Sequence, residues 1–307
     1  MIIRNNQKQP SIWMFFAILQ SLMWLFGLPL YFKKYWVTAF GSFSNGQAEF
    51  IINLVPIPFF IGYNLIMLPI YYIQHPFFEQ FKIQNDTSWQ WLDHREKKRR
   101  SFWALVVRSI KMISVNLFIL LPILSFLKIY TLERLGLDSP SAFAVDSDHW
   151  PSMIQNCRDI FLLSLVHELG FYTTHRMMHT YPSLYKYHKV HHEFKANIAL
   201  ASLHNHPVDF ILSIGVPALL AISIINPHSS TQLLWSLWTL QANLDDHVGY
   251  SFPWSPVRWF PFAATTDEHE FHHSKNLGCF GSKLSIFNSI FGGYEHYYAH
   301  TDKYKKG

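Results

Sequence analysis

The chain has 307 residues, 50% hydrophobic, 17% aromatic and only 15% charged, with a net charge of +5 at pH 7. That balance excludes an ordinary soluble domain and points to an all-α integral membrane protein, with about four to six transmembrane or re-entrant helices. The modest positive charge suits acidic partners or anionic lipid headgroups, and no feature suggests nucleic-acid binding.

In chain order, residues 11–32 and 50–73 run without a charge, each long enough to cross a hydrocarbon core of ~30 Å as a helix. The first is longer than a signal-peptide core and is followed by no small-residue cleavage site, so a retained anchor is expected. A third span is expected at about 103–127, with Arg108 and Lys111 snorkelling near its first end. A fourth is expected at 157–174, carrying His167 and Glu168. Two shorter runs, 208–225 and 231–244, flank the turn residues Asn226, Pro227, Ser229 and Ser230, forming either a spanning or a re-entrant hairpin.

The basic run from His94 to Arg100 between spans two and three is expected in the cytosol, and alternation then returns the chain to the cytosol near residue 175. Lys33 and Lys34, just after the first span, fall on the lumenal side of this scheme and conflict with it. Cys157 and Cys279 fall on opposite faces, so no disulfide joins them. The sequon at Asn85 lies in the basic loop and should be unused. The ending KYKKG resembles a dilysine retrieval signal for the endoplasmic reticulum. The expected partition is membrane-anchoring helices and a basic loop at 1–150, a catalytic region at 151–300 and a cytosolic tail at 301–307.

The chain holds 18 histidines, and their spacing says more than their number. Eight form three groups: His175 with His179, then His188, His191 and His192, then His269, His272 and His273. On a helix, residues at i and i+4 share a face, so His175 and His179 can reach one metal ion. The pattern HxxHH sets its adjacent pair ~100° apart, which lets one helix serve two ions. Two sites are therefore implied, and eight or more ligands exceed the four that a single zinc takes. Neutral imidazole suits iron, copper, zinc and nickel alike. His75, His94, His149, His228, His296 and His300 have no such spacing and are left unassigned.

The segments HRMMH, HKVHH and HEFHH resemble the histidine boxes of the fatty acid hydroxylase superfamily of membrane di-iron oxygenases. The linking segments YKYHKVHHEF, HNHPVD, DDHVGYSFPW and FGSKLSIFNSIFGG are similar too. The resemblance covers about 160–297. It implies that the eight box histidines ligate two irons, that His247 supplies a further ligand, and that His206 is a candidate additional ligand. Asn243, one turn before His247, could face the same metal. Glu168, Tyr172, His175 and His179 form one helical stripe, and a carboxylate inside an apolar span suits support of a metal-bound imidazole. Asp209, Asp245, Asp246, Asp267 and Glu270 could offset metal charge, although for each a solvated surface residue is the expected reading.

The resemblance further implies dioxygen activation and oxidation of a bilayer lipid, with electrons from cytochrome b5 and its NAD(P)H-dependent reductase, since no flavin or nicotinamide fingerprint occurs in the chain. A sterol is the favoured substrate, in the manner of C4-methyl sterol oxidases or cholesterol 25-hydroxylase. Sphingoid-base or fatty acid hydroxylation, or desaturation, is the alternative within this chemistry. A non-catalytic protein holding zinc in the same histidines is the alternative of a different class. The multi-pass chain is expected in the endoplasmic reticulum membrane, with boxes and C-terminus cytosolic.

Overall fold

The computed structural model describes residues 11–85, 88–135, 150–259 and 262–305. Regular structure among them is helical, apart from two isolated antiparallel bridges, Lys82 to Tyr250 and Ala263 to Leu284. Helix α1 runs over 11–40 through a π-turn at Met23–Gly27, and α2 over 45–73 in two pieces, Asn45–Leu54 and Pro56–Ile73. Helix α3 spans 96–135 with a π-turn at Asn116–Leu120, and α4 is the unbroken Met153–Thr180. Then follow α5 (Pro182–His188), α6 (207–225), α7 (Ser229–His247), α8 (Thr266–Lys275), α9 (Ile286–Phe291) and α10 (Glu295–Lys305). Reciprocal capping boxes start three of these: Ser44 with Gln47 before α2, Ser152 with Gln155 before α4, and Thr265 with Glu268 before α8.

Among the described residues, four helices are long and apolar enough to cross a membrane: Ile12–Phe40, Gly46–Ile73, Glu96–Thr131 and Pro207–Ile225. Three points depart from expectation. The first extends past residue 32, so Lys33 and Lys34 are exposed on its last turns and do not follow it. The basic run from Glu96 to Arg100 is the opening of α3 and not a loop. The expected span at 157–174 is a helix, but it is not among the four, because Arg158, Asp159, His167 and Glu168 lower its mean hydropathy. One face of α4 packs along α6 and α7, with Leu163, Ala221 and Trp235 at the contact, while Phe161 and Leu169 on the other face are exposed. Helices α6 and α7 have 19 residues each, or ~28 Å, so the second returns the chain to the level at which the first left it. Asp86, Thr87, His149 and the last two residues lie outside the described residues, as do the side chains of Lys303 and Lys305.

The bundle has two distinct ends. At one, Trp36 meets Trp150 and His228, and the buried ion pair of Glu49 and Lys128 is shared with Gln232. At the other, Tyr71 donates to the Val248 carbonyl at 2.9 Å, Tyr63 to Asp245 at 2.7 Å, and Trp89, Trp91, Tyr250 and Phe252 stack into one aromatic layer. This second end carries every histidine box, and the basic start of α3 lies there too, where Arg108 pairs with Glu193. Cys157 is exposed and Cys279 buried, both free.

Candidate metal centre

Helix α4 delivers the first pair of imidazoles on its last turn. The stripe foreseen along it is present: Glu168, Tyr172 and His175 are buried on one face, and His179 continues it partly exposed. Pro182, with its φ already set for a helix, starts α5 directly afterwards. The segment HKVHH is not one helix, as spacing suggested. His188 ends α5, and His191 and His192 sit on a 3-10 turn, His191–Glu193. Of the two HxxHH boxes, only HEFHH lies within a single helix, α8. His247 is the last residue of α7.

Nine imidazoles from these four places converge into two groups, His175, His179, His188, His192 and His272 in one, and His191, His247, His269 and His273 in the other. Each HxxHH box is divided between them. His188 and His192 face the first group and His191 the second, whereas His269 and His273 face the second and His272 the first. The boxes thus cross-link the two groups.

The ring nitrogens are set out as metal donors would be. His175 Nδ1 lies 2.7 Å from the Phe280 carbonyl and His272 Nδ1 2.6 Å from the Gly278 carbonyl, so both protons are assigned to Nδ1. Their Nε2 atoms nevertheless lie 3.1 Å apart. Each neutral imidazole has one N–H, so two lone pairs face one another, an arrangement that repels unless a cation lies between. The other Nε2 pairs, His188 with His192 and those linking His247 to His191, His269 and His273, are 3.0–3.2 Å apart. At a metal–nitrogen distance of ~2.05 Å, such an edge subtends roughly 100° at the ion, an ordinary coordination angle. Burial first, then neighbouring imidazoles, hold His191, His192, His269, His272 and His273 well below the usual histidine range, so they are neutral donors at pH 7. The residues therefore fit two metal ions.

Support for the imidazoles comes from unexpected places. The carboxylate that touches one is Asp209, with both oxygens 3.2 Å from His188 Nδ1, itself fixed by Asn205 at 2.9 Å and Ser213 at 2.8 Å. Glu168 does not reach an imidazole. It accepts from the Ser282 and Lys283 amides at 2.6 and 3.1 Å, pinning the strand of loop whose Phe280 carbonyl orients His175. Asn243 supports His247 through its backbone carbonyl at 2.7 Å, while its side chain donates to the Ser202 carbonyl. His206 stands outside both groups: its Nδ1 accepts from the Val208 amide, capping the turn into α6, and its ring lies against Tyr187.

The expectation of solvated carboxylates fails for Asp209, Asp245, Asp246 and Glu270, all buried; Asp267 is half-buried. Burial pushes Glu270 up to about 7, against hydrogen bonds from Gln84 and Asn197. His204 had no spacing to single it out, yet it is wholly buried against Glu193 at 2.9 Å.

Residues 160–293, which include all nine converging histidines, match the family model for fatty acid hydroxylase. Methylsterol monooxygenase 1 of Gallus gallus is 26% identical over 276 residues, covering 90% of this chain and 82% of the relative. Methylsterol monooxygenase 1-1 of Arabidopsis thaliana is 25% identical over 274 residues, covering 87% and 83%. A very-long-chain aldehyde decarbonylase of Oryza sativa subsp. japonica is 32% identical over 148 residues, 47% of this chain and 54% of its own. No solved structure matches. The region that folds the histidine boxes into one centre is thus the region that matches the fatty acid hydroxylase family, and the likeness to methylsterol monooxygenases runs along most of the chain's length.

Proposed function

We propose that the two groups of imidazoles hold one iron each and that the chain is a lipid monooxygenase acting on a sterol, as a C4-methyl sterol oxidase or a sterol hydroxylase. The observation that carries this is the pair of opposed Nε2 lone pairs at 3.1 Å, within boxes that cross-link two neutral nitrogen clusters. The likeness to methylsterol monooxygenases supports the sterol. Two irons there would supply dioxygen activation and attack on an unactivated C–H bond, drawing electrons from cytochrome b5 and its NAD(P)H-dependent reductase.

The chain's own residues do the positioning. The carbonyls of Phe280, Gly278 and Asn243 and the carboxylate of Asp209 fix four rings and leave Nε2 free to ligate. The aromatic layer of Tyr71, Trp89, Trp91 and Tyr250 packs at the same end of the bundle, where Tyr71 donates to the Val248 carbonyl, next to His247 in the chain, and Tyr250 to Glu79. The basic start of α3 lies at the same end as the histidines, which supports a multi-pass chain with that end in the cytosol, in the endoplasmic reticulum membrane.

Purified protein should contain about two irons per chain and support NADH-dependent oxygen uptake with cytochrome b5 and its reductase, both lost in His191→Ala and His272→Ala. Zinc in the same histidines without oxygen uptake refutes the proposal and leaves a zinc-binding membrane protein. Similarity to the aldehyde decarbonylase over 148 residues favours a second reading, a long-chain aliphatic substrate. A sterol and sphingolipid profile of cells with and without the protein separates the two.

A further inference from the structure

From the second imidazole group a line of oxidisable rings runs to the surface. Tyr71 donates to the carbonyl of Val248, the residue after His247, at 2.9 Å. Its ring centre lies 5.9 Å from that of Tyr250, with the two planes 19° apart, and 5.8 Å from that of Trp91. Tyr71 and Tyr250 are buried, whereas Trp91 is half-buried. Beyond Trp91 the line reaches the exposed Trp103 through Phe102, in steps of 5.5 and 5.4 Å. Trp91 also precedes the basic run that begins at His94, the part of the surface suited to an acidic electron donor.

Packing alone would be served as well by phenylalanine, but the hydroxyl of Tyr250 has a particular partner. It donates to Glu79 Oε1 at 2.5 Å, and Glu79 is half-buried. A carboxylate within hydrogen-bond reach can take the phenolic proton as the ring loses an electron, so no charged radical is left in a buried place. Tyr71 has no such base: its hydroxyl meets only the Val248 carbonyl and the Ala199 amide among the described residues. The ammonium of Lys82 stands over Trp89, 4.4 Å from the ring centre, and opposes positive charge there. An electron vacancy on this line therefore comes to rest on Tyr250 and moves between Tyr71 and Trp91.

We propose that Tyr250, Tyr71 and Trp91 carry oxidising equivalents out of the metal centre when dioxygen is activated with no lipid bound, and so spare the histidine ligands. The inference rests on the oxygenase reading given above. In a monooxygenase turnover dioxygen takes four electrons, two from the external donor and two from the C–H bond of the lipid. Without a lipid the second two are missing. Tyr250 supplies each in turn: its O–H bond breaks, the electron goes to the centre and the proton to Glu79. An electron entering at Trp91 from a ferrous haem or a thiolate then restores Tyr250, and Glu79 returns the proton. Two such cycles, with four protons from solvent, bring dioxygen to two waters. Ferric haem is too weak an oxidant to take electrons from these rings, so the line is idle while the donor reduces the metals.

The test uses the full chain in lipid nanodiscs. Leu92 and Cys157 are both exposed, so Leu92→Cys with Cys157→Ser gives one attachment point beside Trp91 for a ruthenium polypyridyl photo-oxidant. In the zinc-loaded protein, a flash with an electron-accepting quencher should give a tryptophan radical that yields to a tyrosyl radical, read by transient absorption and electron paramagnetic resonance. The tyrosyl yield should fall at least tenfold in Tyr250→Phe and in Glu79→Gln, which keeps every ring and serves where Tyr250→Phe does not fold. In the iron-loaded protein given dioxygen and reduced cytochrome b5 without lipid, either variant should raise oxidation of peptides containing His247 or His269 at least fivefold per dioxygen consumed, read by mass spectrometry. A tyrosyl yield or a ligand oxidation unchanged in both variants overturns the inference while leaving the oxygenase reading intact. A light-driven radical on Tyr250 in a protein that takes up no dioxygen with iron bound sinks the oxygenase reading and supports the line of rings as a conductor.

Discussion

Asp209→Asn is the sharpest probe of the centre, because one atom type changes and only one of the two groups is touched. The wild-type carboxylate faces His188 Nδ1 with both oxygens and accepts from Asn205 and Ser213. An asparagine keeps the volume and one acceptor, but its NH2 then confronts a donor. The ring of His188 loses a charged partner that fixes its tautomer and orientation. Loss of such a partner lowers metal affinity about 10- to 100-fold, or roughly 1.4–2.7 kcal/mol. His188 belongs to the first group, where His175 and His272 also have oriented Nδ1 atoms, whereas in the second only His247 does and the Nδ1 atoms of His191, His269 and His273 meet no acceptor among the described residues. In wild type the second group should therefore release its metal first under graded chelation. In Asp209→Asn the two releases should approach each other or exchange order, read as metals per chain by mass spectrometry of the dialysed protein. An unchanged release curve, or loss of both metals together in wild type, would refute the reasoning.

Other outcomes follow from the same geometry. The metal-free protein should lose stability on acidification: its buried histidines bind protons less readily than unfolded ones, so below pH ~6.5 the unfolded state binds more protons and stability, full above that pH, falls. Thermal unfolding from pH 8 to 5 checks this, and a midpoint that rises on acidification contradicts it. Lys128→Ala should cost about 3–5 kcal/mol by leaving Glu49 uncompensated at the far end of the bundle, without changing metal content; the double change Glu49→Gln, Lys128→Met should recover most of it. His206→Ala should cost about 0.5–2 kcal/mol through the lost cap and keep both metals, and two-metal loss there would restore His206 as a ligand.

What could be read from spacing, and what could not, divides along the range of the interaction concerned. The pair at 175 and 179 and the triad at 269, 272 and 273 lie within single helices, where a period of 3.6 residues fixes which rings share a face. The triad at 188, 191 and 192 gave the right division between groups by the wrong route. The helix stops at His188 and a 3-10 turn carries the other two, yet His192 still returns to within 3.0 Å of His188. Glu168 was legible as a buried carboxylate needing a reason, but its partners, the amides of Ser282 and Lys283, lie 114 and 115 residues away, and no local pattern encodes that contact. Asp209 looked like a surface residue, as an isolated carboxylate in a sequence usually is; the tertiary packing of α6 buries it beside His188. The number of spans turns on α4 in the same way: Asp159, His167 and Glu168 lower its hydropathy, yet they lie on the face packed against α6 and α7 while Phe161 and Leu169 are exposed on the other, so mean hydropathy along a segment does not by itself say whether it is membrane-embedded.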